Sequence, residues 1–291
     1  MSQPHPYYPA KLLLFGEYTV LNGSQALAVP LNKWQGKWVN ENNNDLSSFD
    51  DIIKYVSWLI TKDLLDQDQV QKIISDFKEG WSYQSNIPQG YGVGSSGAFV
   101  AAFFDRYFDA SDDLEKIHTT MAKMEGYFHG ASSGLDPLIS YINKPVYKDD
   151  EGHYHSMNDN GWPDSYKIYL LDSGHGRETG PLVTQYKMQL QDSGFSEKIN
   201  RQYIPMVEHA IHFYLGGEGK MLEESISVIS QFQRQYFTDM IPAHVMEKWD
   251  ELTAIPGVYV KLCGAGGGGY FLVISTNQQK DLIQPELIKV N

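Results

Sequence analysis

The sequence predicts an α+β protein of two lobes, and three observations carry that reading. Short apolar strand-like runs and longer helical patterns are mixed along the chain without an internal repeat. A late pair of strands, Val258 to Leu262 and Tyr270 to Ser275, brackets the run Gly264-Ala-Gly-Gly-Gly-Gly269. A polar stretch from Lys148 to Ser165 reads as a long surface hairpin or a domain junction, which places the seam near residue 160 and divides the chain into 1–160 and 161–291. With 291 residues, 42% of them hydrophobic and 13% aromatic, the chain can bury a real core.

Taken in order, Lys11 to Phe15 is short and apolar and ends at Gly16, as a buried strand does. Gln25 to Pro30 is a second strand, linked to the first through the turn-like Asn22-Gly23. Asn40 to Ser48 is polar and reads as a loop. Asp50 to Ile60 carries apolar residues at helical spacing, and the glycine-rich stretch Gly90 to Gly97 runs into a helix over Ala98 to Phe108. Another helix starts at Asp112, where Asp112 and Glu115 have capping-box spacing. Leu114, Ile117, Met121, Met124 and Phe128 form its apolar stripe, and it stops at Gly130. Lys167 to Leu171 is a strand, followed by the turn Asp172-Ser-Gly174, and helical patterns fill Gly180 to about Leu252.

The formal net charge is −13, with acids spread along the chain. Such a surface repels nucleic acid and anionic membranes, so neither is an expected partner. An anionic substrate then needs local cations, backbone N–H groups or a metal to overcome the field. Cys263 is the only cysteine, which excludes an intramolecular disulfide and a multi-cysteine zinc site and fits a reducing cytoplasm. The N-terminus lacks a basic segment followed by a long apolar one, and no apolar run approaches the ~20 residues of a bilayer span. The expectation is a cytoplasmic globular protein.

Three segments carry chemistry. In Pro88-Gln-Gly-Tyr-Gly-Val-Gly-Ser-Ser-Gly-Ala98, glycines let the backbone curl around a ligand, and the helix that follows points free N–H groups outward. Ser95 and Ser96 add hydroxyls for a phosphate and a Mg²⁺ ion. No Gly-Lys-Ser/Thr follows, so this is not a Walker A loop, and a plain helix-capping turn has the same composition. Gly92, Gly94 and Gly97 satisfy G-x-G-x-x-G, as do Gly264, Gly266 and Gly269. The first lacks a clean strand upstream and the second leads into a strand, so neither has the β–turn–α context of a dinucleotide site. An NAD(P)-dependent oxidoreductase is nonetheless the alternative from a different class.

The second segment is Glu125-Gly-Tyr-Phe-His-Gly-Ala-Ser-Ser-Gly-Leu-Asp136. Glu125 lies at the edge of its helix's apolar face, as an ordinary boundary residue or as a metal-holding carboxylate. Asp136 before Pro137 reads, taken alone, as a helix N-cap with proline at the first helical position. His129 is given no role. The third segment, Lys261 to Tyr270, holds four consecutive glycines, which close approach by another backbone or a ligand explains better than a simple turn.

In this order the segments resemble the motifs of the GHMP kinases, named for galactokinase, homoserine, mevalonate and phosphomevalonate kinases. Pro9-Ala-Lys-Leu-Leu-Leu-Phe-Gly-Glu-Tyr-Thr-Val-Leu-Asn-Gly23 resembles their first motif, Pro88 to Ala98 their second and Lys261 to Tyr270 their third. Glu125 and Asp136 around His-Gly-x-x-Ser-Gly-x-Asp, with Asp172-Ser-Gly-His-Gly-Arg-Glu-Thr179 after them, are similar to the mevalonate kinase branch. The resemblance spans nearly the whole chain. It implies an N-terminal, ATP-binding lobe like a small-subunit ribosomal protein domain and a ferredoxin-like C-terminal lobe.

It also implies ATP and Mg²⁺ as cofactors, with Gly90, Gly92, Gly94, Ser95, Ser96 and Gly97 around the phosphates and Gly264, Gly266 and Gly267 closing the site beneath them. Ser96 and Glu125 would hold the metal. Asp136 would take the proton of the acceptor hydroxyl, with Lys11 beside it, and Glu17, Tyr18, Arg177 and Thr179 would lie toward the acceptor. The implied reaction phosphorylates the 5-hydroxyl of mevalonate, a small-molecule substrate, in a monomer or homodimer. Another hydroxy acid, phosphomevalonate or a sugar is the alternative within the fold, and a catalytically silent binding protein is a third class. The full set Lys11, Ser96, Glu125 and Asp136 argues against silence. Two departures stand out. Gly-Glu-His is usual in the first motif, where this chain has Gly16-Glu17-Tyr18, and Ser-Ser-Ala-Ala in the second reads Ser95-Ser96-Gly97-Ala98. The tyrosine bears on acceptor identity, whereas the glycine is expected to leave phosphate binding intact.

Overall fold

The computed structural model describes residues 6–40, 46–109, 111–130, 132–158, 161–176, 179–276, 282 and 284–290, without the side chains of 46–49 and 179. The chain divides into two compact units that interleave in sequence: Met1–Lys11, Pro30–Pro88 and Gly94–Lys144 in one, Leu12–Val29, Gln89–Val93 and Pro145–Asn291 in the other. Strands β1 (Tyr8–Phe15) and β2 (Ala26–Asn40) each contribute to both. The crossing at 89–94 falls inside the first glycine-rich stretch.

In the first unit, α1 (Leu46–Thr61), α2 (Gln67–Lys78), β3 (Trp81–Ser85), α3 (Ser95–Tyr107), α4 (Leu114–His129) and α5 (Leu135–Ile142) follow one another. β3 pairs antiparallel with the far half of β2, from Gly36↔Ser85 to Asn40↔Trp81. β2 is therefore much longer than the expected strand over Gln25 to Pro30. α1 begins at Leu46, inside the stretch expected to be loop. α2 is announced by a capping box that composition alone passed over: Asp66 accepts from the Gln69 N–H at 2.8 Å, and Gln69 Oε1 accepts from the Asp66 N–H at 2.9 Å. α4 is capped by Asp113 rather than Asp112, its carboxylate accepting from the N–H groups of Glu115 and Lys116 at 3.1 Å. α3 is central, with Ala98 and Val100 to Phe103 fully buried. Its small residues let α5 pack closely against it.

In the second unit, the polar stretch after residue 144 holds the hairpin β4 (Val146–Lys148) and β5 (Tyr154–Ser156), with β4 pairing to the start of β2. Then come β6 (Lys167–Asp172), α6 (Thr179–Gln189), α7 (Ser193–Lys198), α8 (Ile204–Gly216), α9 (Gly219–Tyr236), α10 (Ala243–Thr253), β7 (Val258–Leu262), β8 (Tyr270–Ser275) and β9 (Leu287–Lys289). The last four strands form an antiparallel sheet in the order β7-β8-β6-β9. Every residue of β8 is buried, which accounts for its unbroken apolar run. Gln233 of α9, itself fully buried, accepts from the Leu262 N–H at 2.7 Å and so fixes the end of β7 where the glycine run begins. Among the described residues no helix is long and apolar enough to cross a membrane.

Candidate active site

The candidate side chains of the first unit come from four places. Lys11 lies on β1, Ser96 in the first turn of α3, Glu125 on α4 and Asp136 in the first turn of α5. Gly94 caps α3 in the left-handed conformation with no side-chain hydrogen bond. The first-turn N–H groups and the positive end of the helix dipole are therefore left for an anion. Asp136 is not the N-cap its proline suggested. Gly134 takes that position, and Asp136 sits within the helix with its carboxylate freed for Lys11. Lys11 Nζ lies 3.1 Å from Asp136 Oδ1, and the two side chains are 10% and 30% exposed.

Ser96 Oγ lies 3.3 Å from Glu125 Oε1 and 3.0 Å from His129 Nε2. The other Glu125 oxygen accepts from the Ser132 hydroxyl. Glu125 is only 2% exposed. Burial, and after it the negative charge of Asp136, pushes its carboxyl up to about 7, against the opposing pull of Ser132, Lys11 and Ser96. A buried carboxylate beside a hydroxyl is a hard-oxygen donor pair of the kind Mg²⁺ takes, since that ion uses one or two carboxylates and completes its shell with phosphate and water. Among the described residues no three His, Cys, Asp or Glu side chains gather to hold a metal by themselves.

Gly97 has a packing role. A Cβ there would lie 2.7 Å from Asp136 Cβ and 2.8 Å from the Asp136 carbonyl carbon and the Pro137 nitrogen. The missing methyl lets α5 seat against α3, and this packing positions Asp136. Gly97→Ala is expected to cost about 1–3 kcal/mol of stability through overpacking. Because it displaces the Asp136 backbone, it should also lower turnover by up to about 10²-fold. Urea unfolding and steady-state rates read the two effects; unchanged values of both mean that the α3–α5 contact is not tight.

In the second unit, the four-glycine run is explained by backbone. A Cβ on Gly269 would stand 2.5 Å from the Tyr91 carbonyl oxygen, and Gly269, with φ 68°, donates its N–H to the His175 carbonyl at 2.8 Å. Gly267 donates to Met240 O at 2.6 Å, and a Cβ on Gly266 would collide with the same carbonyl oxygen. Gly264 lies in the bend that opens the run. The run joins antiparallel β7 to β8, so its G-x-G-x-x-G match is a β–turn–β connection and not a dinucleotide fingerprint.

Gly90 and Gly92 lie in the 89–93 piece of this unit, both with φ 75°. Glu17 and Tyr18 are interior residues. Glu17 forms a fully buried ion pair with Lys261, and Tyr18 donates its hydroxyl to the Ala265 carbonyl with its ring against Tyr186 and Phe237. Tyr18, the residue that departs from the usual histidine, therefore fastens the first motif to the glycine run. Arg177 lies outside the described residues; Thr179 opens α6, and its side chain lies outside them.

Residues 59–144 match the sequence profile of the GHMP kinases N terminal domain, and the match ends where the first unit ends. The mevalonate kinase of Thermococcus sibiricus is 24% identical over 94% of this chain and 90% of its own length. That of Pyrococcus horikoshii is 27% identical over 94% and 89%. Among solved structures, Leishmania major mevalonate kinase in complex with R-mevalonate aligns with a TM-score of 0.63 at 17% identity, over 95% of this chain and 90% of that one. Streptococcus pneumoniae phosphomevalonate kinase with phosphomevalonate and AMPPNP aligns with a TM-score of 0.64 at 14% identity, over 94% and 92%. The chain is therefore similar to GHMP kinases over nearly its whole length, and residues 59–144 carry the match to their N-terminal domain.

Proposed function

We propose that the protein is a cytoplasmic kinase that transfers the γ-phosphoryl group of ATP to the 5-hydroxyl of mevalonate. The observation that carries this reading is the juxtaposition, within one unit, of the Lys11–Asp136 pair with the Ser96–Glu125 pair at the uncapped start of α3. Relatives named mevalonate kinase over nearly the whole chain support the choice of acceptor.

Phosphoryl transfer asks for alignment and charge neutralisation more than covalent chemistry. The α3 N-terminus and its glycines bind phosphate oxygens through backbone N–H groups. Ser96 and Glu125 would hold Mg²⁺, which when bound would supply charge neutralisation on the phosphates. Asp136 accepts the proton of the acceptor hydroxyl as its oxygen forms the new bond to phosphorus, and ADP leaves. Lys11 orients the carboxylate.

The test is ADP release with Mg·ATP and mevalonate, set beside phosphomevalonate, homoserine, galactose and buffer alone. Turnover dependent on mevalonate is expected, and turnover with another member of the panel overturns the acceptor. A metal role for Glu125 has a pH signature. The Glu125 carboxyl, pushed up to about 7 chiefly by burial, must lose its proton before a metal binds, so apparent Mg²⁺ affinity should fall up to tenfold for each unit below about pH 7. Glu125→Gln should abolish that dependence while weakening Mg²⁺ binding, and Ser96→Ala should weaken it as well. Unchanged Mg²⁺ titrations in both variants remove the pair from the metal.

A further inference from the structure

We propose that Ser132 is a positioning residue that braces Glu125 for the metal and ties it to the helix bearing Asp136; this rests on the Mg·nucleotide reading above. Ser132 uses its single hydroxyl proton on Glu125 Oε2. The same hydroxyl oxygen accepts the Gly134 N–H at 2.9 Å. Gly134 is the N-cap of α5, where its carbonyl accepts from the Leu138 N–H at 3.2 Å. With donor and acceptor both engaged, the hydroxyl rotor is fixed. One carboxylate oxygen is thereby pinned, and the plane of the carboxylate is set so that Oε1 stands beside Ser96 Oγ.

The neighbouring Ser133 works differently. Its carbonyl meets His118 Nε2 at 2.6 Å and its hydroxyl accepts the Leu135 N–H at 3.3 Å, which fastens the turn. Ser132 reaches the buried carboxylate. A chain of hydrogen bonds then runs from His129 through Ser96, Glu125 and Ser132 to the start of α5. Through it the metal-holding group and the base share one frame.

Outer partners of metal-holding groups are worth about 10–100-fold in metal affinity. The experiment measures Mn²⁺ binding in the presence of ADP by electron paramagnetic resonance, so the readout needs neither turnover nor an acceptor, and Mg²⁺ titrations of ADP release accompany it. Ser132→Ala is expected to weaken Mn²⁺ binding by about tenfold or more. Its kcat at saturating Mg²⁺ should stay within about threefold of wild type, as befits a group that touches no reacting atom. Ser132→Thr, which keeps the hydroxyl, should restore affinity. Ser132→Cys, similar in size but a weak donor, should share the loss and keeps the test alive should the alanine variant not fold. Wild-type Mn²⁺ affinity in the alanine or cysteine variant overturns the brace, as does a threonine variant no better than alanine. A wild-type chain that binds no Mn²⁺ with ADP overturns the nucleotide reading itself.

Discussion

Asp136→Asn is expected to lower turnover by about 10²–10⁴-fold, the contribution of a positioned general base, while Mg·ATP remains bound. Asparagine keeps the shape of the side chain and an oxygen for Lys11 Nζ, 3.1 Å away in the wild type, but it cannot take the acceptor's proton. Ser96, Glu125 and the start of α3 are left in place, so nucleotide affinity should survive. The substitution has a second consequence. The charge of Asp136 is, after burial, the main cause that raises Glu125 to about 7. Removing that charge lowers the Glu125 value, so the variant should bind Mg²⁺ at a lower pH than wild type does. Steady-state ADP release and Mg²⁺ titrations on both sides of about pH 7 read the two effects. Turnover within about tenfold of wild type removes Asp136 from the base role. A Mg²⁺ profile that does not move separates Asp136 electrostatically from the metal site.

Where the candidate side chains of the first unit stand was legible because the pattern is local. A glycine–serine stretch ahead of a helix fixes where Ser96 stands, and the eleven-residue spacing of Glu125 and Asp136 spans one helix end, one turn and one helix start. The partners of Glu125 were not legible. The Ser132 and His129 contacts depend on how the α4–α5 turn folds, and the single signal in the sequence was a pair of serines inside that turn. The four-glycine run was read as close approach by backbone or ligand. The carbonyls that decide the matter belong to Tyr91, His175 and Met240, all distant in sequence. The interleaving of the two units was hidden for a similar reason. It turns on β2 continuing past Pro30 to meet β3, and Trp-Ser-Tyr-Gln-Ser is too polar and too short to declare itself a strand.

Lys261→Ala is expected to cost about 3–5 kcal/mol of folding stability, because it breaks a fully buried ion pair by removing one member. Both side chains are fully buried, and Lys261 Nζ donates to Glu17 and to the Leu262 carbonyl. The pair joins the turn after β1 to the end of β7, three residues ahead of the glycine run, and Tyr18 adds its bond to Ala265 beside it. Replacing both charges, as in Glu17→Leu with Lys261→Met, should recover most of the loss, since a buried pair stabilises little beyond an apolar pair of similar volume. Denaturant midpoints of the two single variants and the double give the coupling directly. A single variant within about 1 kcal/mol of wild type shows that the interior tolerates the lone charge, and it overturns this account of the pair. The double variant also separates two roles for Glu17. If the residue serves the fold, recovered stability brings recovered turnover. If it reaches the acceptor, as the resemblance implied, stability returns while kcat/KM for mevalonate stays low, and that split would return Glu17 from the interior to the substrate site.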